Sequence, residues 1–233
     1  MKKGIDVSEH QGRIGWPSVK ASGVEFTILR AGYGRVASQK DKQFENNYTA
    51  AKAAGVPCGA YWYSYATSEE EARKEAAVCL EILKGKQFEY PIYYDVEEQR
   101  TFQLGKGKVS AIIKAFCEEL EKGGYFVGLY MSAYPLGNLV DEEVKRRYVV
   151  WVAHYGVQKP VYSGAYGMWQ KSCTGKVTGI TGNVDLDEAY EDYPAIIKAA
   201  GLNGFKKPEE AKKKVKITIE LDEHTYSGFL EEV

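Results

Sequence analysis

Tyr90–Arg100 reads YPIYYDVEEQR, an apolar, aromatic run that ends in three carboxylates, Asp95, Glu97 and Glu98. A buried β run usually ends in the turn chemistry of Gly, Asn or Pro. This one ends in groups that are costly to crowd together away from water. The period of a strand sorts the stretch: Tyr93, Asp95 and Glu97 share one face, and Ile92, Tyr94 and Val96 share the other. Asp95 and Glu97 are then same-face neighbours, about 6.5–7 Å apart at Cα. Glu98 falls off that face, with its side chain expected to point away from any groove or into solvent.

Similar runs recur on both sides of this one. KKGIDVS, VEFTILRAG, GVPCGAYWYSY, YFVGLYMS, YVVWVAHY, YGMWQKS and GNVDLD are rich in β-branched and aromatic residues and read as strands. Helical patterns separate several of them. SEEEARKEAAVCLEILK opens with Ser68 and Glu71 at capping-box spacing and lines up Ala72, Ala76, Cys79, Leu80 and Leu83. KGKVSAIIKAFCEELEKGG lines up Val109, Ile112, Ile113, Phe116 and Leu120 and stops at a Gly pair. Strand–helix alternation of this kind predicts an α/β fold with parallel strands, a barrel or a doubly wound sheet. YSGAYG and CTGKVTGITG read as turns, so a barrel would be irregular in its second half. A chain of 233 residues accommodates one such domain.

The net charge of −1 argues against a nucleic-acid-binding surface. No stretch is long and apolar enough to span a bilayer. MKKGIDVSEHQG lacks the apolar region of a secretory signal, so synthesis in the cytosol without a signal peptide is expected. Cys58, Cys79, Cys117 and Cys173 have no metal or redox spacing and are read as reduced and buried. His10, His154 and His224 are too scattered to suggest a metal site, and no metal or cofactor is expected. The eighteen Tyr and four Trp are enough to fill a core and also to wall a sugar-binding cleft.

Polar residues collect at one end of the strands, where ligands bind in α/β folds. Asp6 closes the first strand and Arg30 the second. Tyr61 and Tyr63 lie late in the third, Asp95 and Glu97 close the fourth, and Tyr130, Trp151, Gln170 and Asp185 lie toward the ends of later ones. Two crowded carboxylates cannot both ionise freely, so one pKa rises and supplies a general acid near neutral pH. Glycoside hydrolysis needs this pairing: an acid for the leaving oxygen and an anion for an oxocarbenium-like transition state.

GIDVSEHQG, RAGYG, GAYWYSY, YYDVEE, YVVWVAHYG, MWQ and NVDLD, in that order, resemble the signature of the family 25 glycoside hydrolases over roughly residues 3 to 200. These are lysozymes that cleave between N-acetylmuramic acid and N-acetylglucosamine, in phage endolysins and autolysins. The resemblance implies an irregular, TIM-like (β/α) barrel with an acidic groove on its C-terminal face. It places the catalytic acid on Glu97, the assisting aspartate on Asp95, and two further acids on Asp6 and on Asp185, with Asp187 the alternative for the fourth. Tyr61, Trp62, Tyr63, Tyr130, Trp151 and Gln170 fall on groove-lining positions; Arg30 and Asp187 complete the expected substrate-binding set. KSCTGK after MWQ departs from the family pattern. Retention is implied, with Asp95 either attacking the sugar or orienting its N-acetyl group to do so.

The expected function is an endo-acting muramidase whose partner is bacterial peptidoglycan, reached through lysis-linked release. Two alternatives are a carbohydrate-binding protein whose catalytic site has decayed and a chitin-type glycosidase. Every expected carboxylate is present, against the first, and no D-x-x-D-x-D-x-E run occurs, against the second. The organisation expected is a catalytic domain over 1–202, a Lys-rich linker over 203–214 and a short β-type tail over 215–233. Val215, Ile217, Ile219 and Leu221 alternate in that tail, a face for self-association, for the barrel flank or for a wall-binding module.

Overall fold

Eight apolar runs each become one strand of a closed barrel in this computed structural model, which describes residues 1–208 and 215–230. The strands are β1 (Lys2–Val7), β2 (Phe26–Tyr33), β3 (Cys58–Tyr63), β4 (Ile92–Asp95), β5 (Val127–Ser132), β6 (Val149–Ala153), β7 (Met168–Gly175) and β8 (Val184–Ala189). From β1 to β7 each strand pairs parallel with the next. β8 is antiparallel to both β7 and β1. A parallel return needs a crossover of about a dozen residues or more. The connection over 176–183 is too short for that, and it turns at Gly179 and Gly182, both at positive φ. The irregular half of the barrel is therefore closed by a hairpin.

The helices between strands are α1 (Trp16–Ala21), α2 (Phe44–Ala53), α3 (Glu69–Leu83), α4 (Gln99–Phe102), α5 (Lys106–Lys122), α6 (Ala133–Leu139) and α7 (Glu142–Arg147); α8 (Tyr193–Ala200) follows the last strand. Ser68 caps α3 by accepting from the Glu71 N–H at 3.2 Å. The Glu71 carboxylate turns outward instead, to the N–H and hydroxyl of Thr67. Val109, Ile112, Ile113, Phe116 and Leu120 of α5 are buried, and Gly124, at positive φ, ends that segment.

Strand parity divides the core in two. Ile5, Leu29, Ile92, Tyr94 and Val96 pack outward under the helices, while Phe26, Ile28, Tyr93, Tyr130, Trp151 and Met168 fill the barrel. Gly128 makes room for this filling, because a Cβ there would stand 2.4 Å from the Tyr93 ring. The same parity overturns one expectation. Trp62, between the inward Tyr61 and Tyr63, packs outward in the helix-facing core, and its indole N–H donates to the Gly34 carbonyl at 3.1 Å. It does not line the groove.

The floor of the barrel is closed by Tyr193 and Ile197 of α8 and by Asn203. The fully buried Asn203 amide donates to the carbonyls of Phe88 and Tyr90, and its oxygen accepts from the Phe126 N–H. The barrel thus runs past the boundary expected at residue 202. The expected linker lies partly, over 209–214, outside the described residues, as do the last residues of the tail, 231–233. β9 (Val215–Leu221) and β10 (His224–Leu230) form an antiparallel hairpin that pairs Ile219 with Tyr226. Ile219, Leu221 and Tyr226 are 57%, 61% and 57% exposed. Cys58, Cys79 and Cys117 are buried, but Cys173 stands exposed on β7, contrary to expectation, where that strand extends beyond the barrel wall. No helix of the described residues is long and apolar enough to cross a membrane.

Candidate active site

The inward positions at the carboxyl ends of β1 to β4 carry Asp6, Arg30, Tyr61 and Tyr63, and Asp95. Asp95 is the last residue of β4 and only 3% exposed, and Glu97 follows two residues on, half-buried at the rim. β8 runs the opposite way, so its first residues reach this same rim: Asp185 pairs with Asp6 across the β1–β8 ladder. Asp185 lies at the start of its strand, where a position near the strand's end was expected. Asp187, two residues deeper, accepts from the Trp151 indole N–H at 2.9 Å.

A hydrogen-bonded chain crosses the barrel among these acids. Tyr130 and Tyr155 both donate to Gln170 Oε1, at 2.7 and 2.5 Å, and Gln170 Nε2 donates to Asp6 Oδ2 at 2.7 Å. Gln170 is thereby held in one amide orientation. Arg30 is committed on the other side. Its guanidinium donates to Asp41 at 2.7 Å and to Glu9 at 3.0 Å. Together with Glu9, His10, Tyr33, Tyr63 and Tyr65 it forms an open basin of about 360 Å³ next to Asp95. On the far side, Ser132, Tyr134, His154, Tyr155 and Tyr162 line a larger basin of about 830 Å³.

The acids are crowded and poorly solvated. Burial, then the charges of Asp187 and Asp185, push Asp6 well above the usual aspartate range. Burial and the charge of Glu97 push Asp95 up, with Arg30 opposing. Glu97 is raised by burial and by Asp185 and Glu98. Asp95 Oδ1 and Asp187 Oδ2 are buried with no hydrogen-bond partner among the described residues. Such a cluster favours partial protonation, which is what a proton donor beside a retained anion requires.

Burial and Asp185 also hold Asp187 well above the aspartate range. A carboxyl whose folded pKa is raised costs stability as pH climbs from its unfolded value through its folded one. Asp187→Asn keeps an acceptor for Trp151 and removes that cost. Its Tm is expected to exceed the wild type's by a few degrees at pH 7, with the gap closing toward pH 4. Thermal melts across that range check this; a variant less stable at every pH would contradict the crowding.

Residues 5–180 match glycosyl hydrolases family 25. The chain belongs to that family. It is 31% identical over 189 residues to an autolytic lysozyme of Clostridium acetobutylicum, covering 81% of this chain and 56% of the relative's length. Lysozyme M1 of Streptomyces globisporus is 29% identical, over 80% of this chain and 67% of its own. The crystal structure of the bacterial lysozyme from Streptomyces coelicolor superposes with a TM-score of 0.74 at 28% identity, covering 85% of this chain and 96% of that one.

On this family 25 barrel, several groups at the rim escaped the reading of the sequence. Glu9 and His10 stand in GIDVSEHQG, and Tyr155 follows the β6 run; each lies just past the end of a strand. That position was the available signal. Glu98 was expected away from the groove; instead it accepts from the Tyr63 hydroxyl at 2.9 Å and pairs with Arg100. α4 begins immediately after it and is tied to the segment that follows β3, with Arg100 and Thr101 donating to the carbonyls of Tyr65 and Ala66.

Proposed function

We propose that this chain is an endo-acting N-acetylmuramidase that hydrolyses the β-1,4 bond between N-acetylmuramic acid and N-acetylglucosamine in bacterial peptidoglycan. The observation that carries the reading is Asp95 and Glu97 at the end of β4, facing Asp6 and Asp185 at the same rim. Its family membership and its likeness to proteins named lysozymes support the substrate.

In this reading Glu97 gives its proton to the leaving oxygen, because crowding keeps it protonated at a pH where an ordinary glutamate is ionised. Asp95, whose carboxylate ends β4 beside Glu97, accepts the N–H of the substrate's N-acetyl group and turns its carbonyl toward the anomeric carbon. The substrate's own amide oxygen then attacks, water opens the resulting ring, and configuration is retained. Asp6, fixed by Gln170, and Asp185 add negative potential where positive charge develops. Tyr61 and Tyr63 wall the groove, and Tyr130 and Trp151 are buried beneath it.

Purified peptidoglycan is digested, reduced with borohydride and analysed by mass spectrometry. Fragments ending in reduced muramic acid are expected; fragments ending in reduced glucosamine would assign a different bond and overturn the proposal.

A further inference from the structure

Behind the barrel wall, on the side of β4 away from the groove, Glu75 is fully buried in the apolar face of α3 among Ala72, Ala76 and Cys79. The mechanism above does not use it. Its carboxylate accepts from the Tyr65 backbone N–H at 2.8 Å and from the Tyr94 hydroxyl at 2.7 Å. Tyr94, stacked on Phe116, accepts in turn from the Ser64 hydroxyl at 2.8 Å, and Ser64 Oγ accepts from the Ala66 N–H at 3.1 Å. Every donor in this chain points toward Glu75.

The segment held in this way carries one wall of the groove. Tyr65 stands with Tyr33 and Tyr63 around the basin beside Asp95, and the Ser64 N–H donates to the Asp95 carbonyl at 2.9 Å. α4 grips the same segment from the other side, with Arg100 donating to the Tyr65 carbonyl and Thr101 to that of Ala66. An apolar residue at position 75 would leave the Tyr65 N–H and the Tyr94 hydroxyl as buried donors with no acceptor, a costly arrangement. One donor reaches each oxygen of Glu75, an arrangement that the ionised carboxylate satisfies on both sides.

We propose that Glu75, Tyr94 and Ser64 form a positioning relay whose ionised state sets the tyrosine-walled end of the groove, so that substrate affinity in the muramidase reaction depends on a carboxylate outside the groove. This rests on the function proposed above. Neutral Glu75 breaks the relay in either form. A proton on the oxygen facing Tyr65 sets donor against donor. A proton on the other reverses Tyr94, which then donates to Ser64 and leaves the serine's own proton without its acceptor.

Burial lifts Glu75 to about 7, against the bonds from Tyr94 and Tyr65 and the charge of Arg35. The other ionisable groups around the relay are Glu71 and Cys79 on α3, Arg35 after β2 and paired with Glu71, Cys117 on α5, and Arg100 on α4. The relay is complete above the Glu75 pKa and broken below it. KM for a soluble peptidoglycan fragment should therefore fall as pH rises through about 7.

The test measures kcat and KM separately from pH 5.5 to 8.5 on solubilised peptidoglycan. In the wild type KM is expected to drop roughly threefold to tenfold across the transition. Glu75→Gln should hold the high KM at every pH with kcat within about twofold of the wild type. Tyr94→Phe cuts the link between Glu75 and Ser64, so its KM should stay high and lose the pH transition. That loss carries the test should Glu75→Gln not fold. A wild-type KM that is flat through this range, or transitions in Glu75→Gln or Tyr94→Phe that match the wild type's, would overturn the relay while leaving the muramidase reading intact. A wild type that releases no reduced muramic acid overturns both.

Discussion

Glu97→Gln is expected to lower kcat on peptidoglycan by roughly a hundredfold to ten-thousandfold, with KM and Tm close to the wild type's. Glutamine has the size and the hydrogen-bonding shape of a protonated glutamate but cannot give up a proton to the departing oxygen. Glu97 suits that task because burial, Asp185 and Glu98 raise its pKa. The acid works while protonated, so activity should decline as pH rises through that raised value. Glu98→Gln makes the matched comparison. It removes one of the charges that lift Glu97 but keeps an acceptor for the Tyr63 hydroxyl, so turnover at low pH should persist while the alkaline limb of the profile moves to lower pH. The two variants are compared on one peptidoglycan preparation, with folding checked by thermal melt. Near-normal turnover in Glu97→Gln beside a collapse in Glu98→Gln would shift the acid by one residue and sink the assignment.

Asp95→Asn should be comparably damaging, through a different step. The Asp95 side chain is buried, Oδ1 has no donor among the described residues, and its pKa is raised by burial and Glu97 but pulled back by Arg30. An asparagine there presents a weaker acceptor and a competing N–H₂, so it cannot hold the substrate amide as an anion does. A loss of roughly a hundredfold or more in kcat is expected on that ground. Tm at pH 7 should not fall, because the substitution removes a buried carboxylate whose ionisation opposes folding. A variant that folds and retains turnover within about tenfold of the wild type would leave Asp95 without a role in the chemistry.

Much of this protein follows from patterns that the backbone sets locally. The period of two in YPIYYDVEE puts Tyr93 and Asp95 inside the barrel and Tyr94 and Val96 under the helices, because successive side chains of any strand must alternate. The Ser68 cap and the apolar stripe of α5 are equally local, set by a period of 3.6 residues. Trp62 shows where residue type misleads: its indole suited a sugar groove, but parity had already placed it opposite Tyr61 and Tyr63. Other features belong to the tertiary structure alone. Asp185 reaches the rim because β8 returns antiparallel, so that the beginning of one strand meets the end of another across Asp6. Gln170 joins Tyr130 and Tyr155 to Asp6 across 164 positions of sequence, and Glu75 in an apolar stripe finds Tyr94 and Tyr65 only after α3 docks on the barrel. The alternation of a strand depends on neighbouring bonds and is written residue by residue, whereas which charges share a low-dielectric cavity depends on how the sheet closes, and closure is a property of all eight strands together.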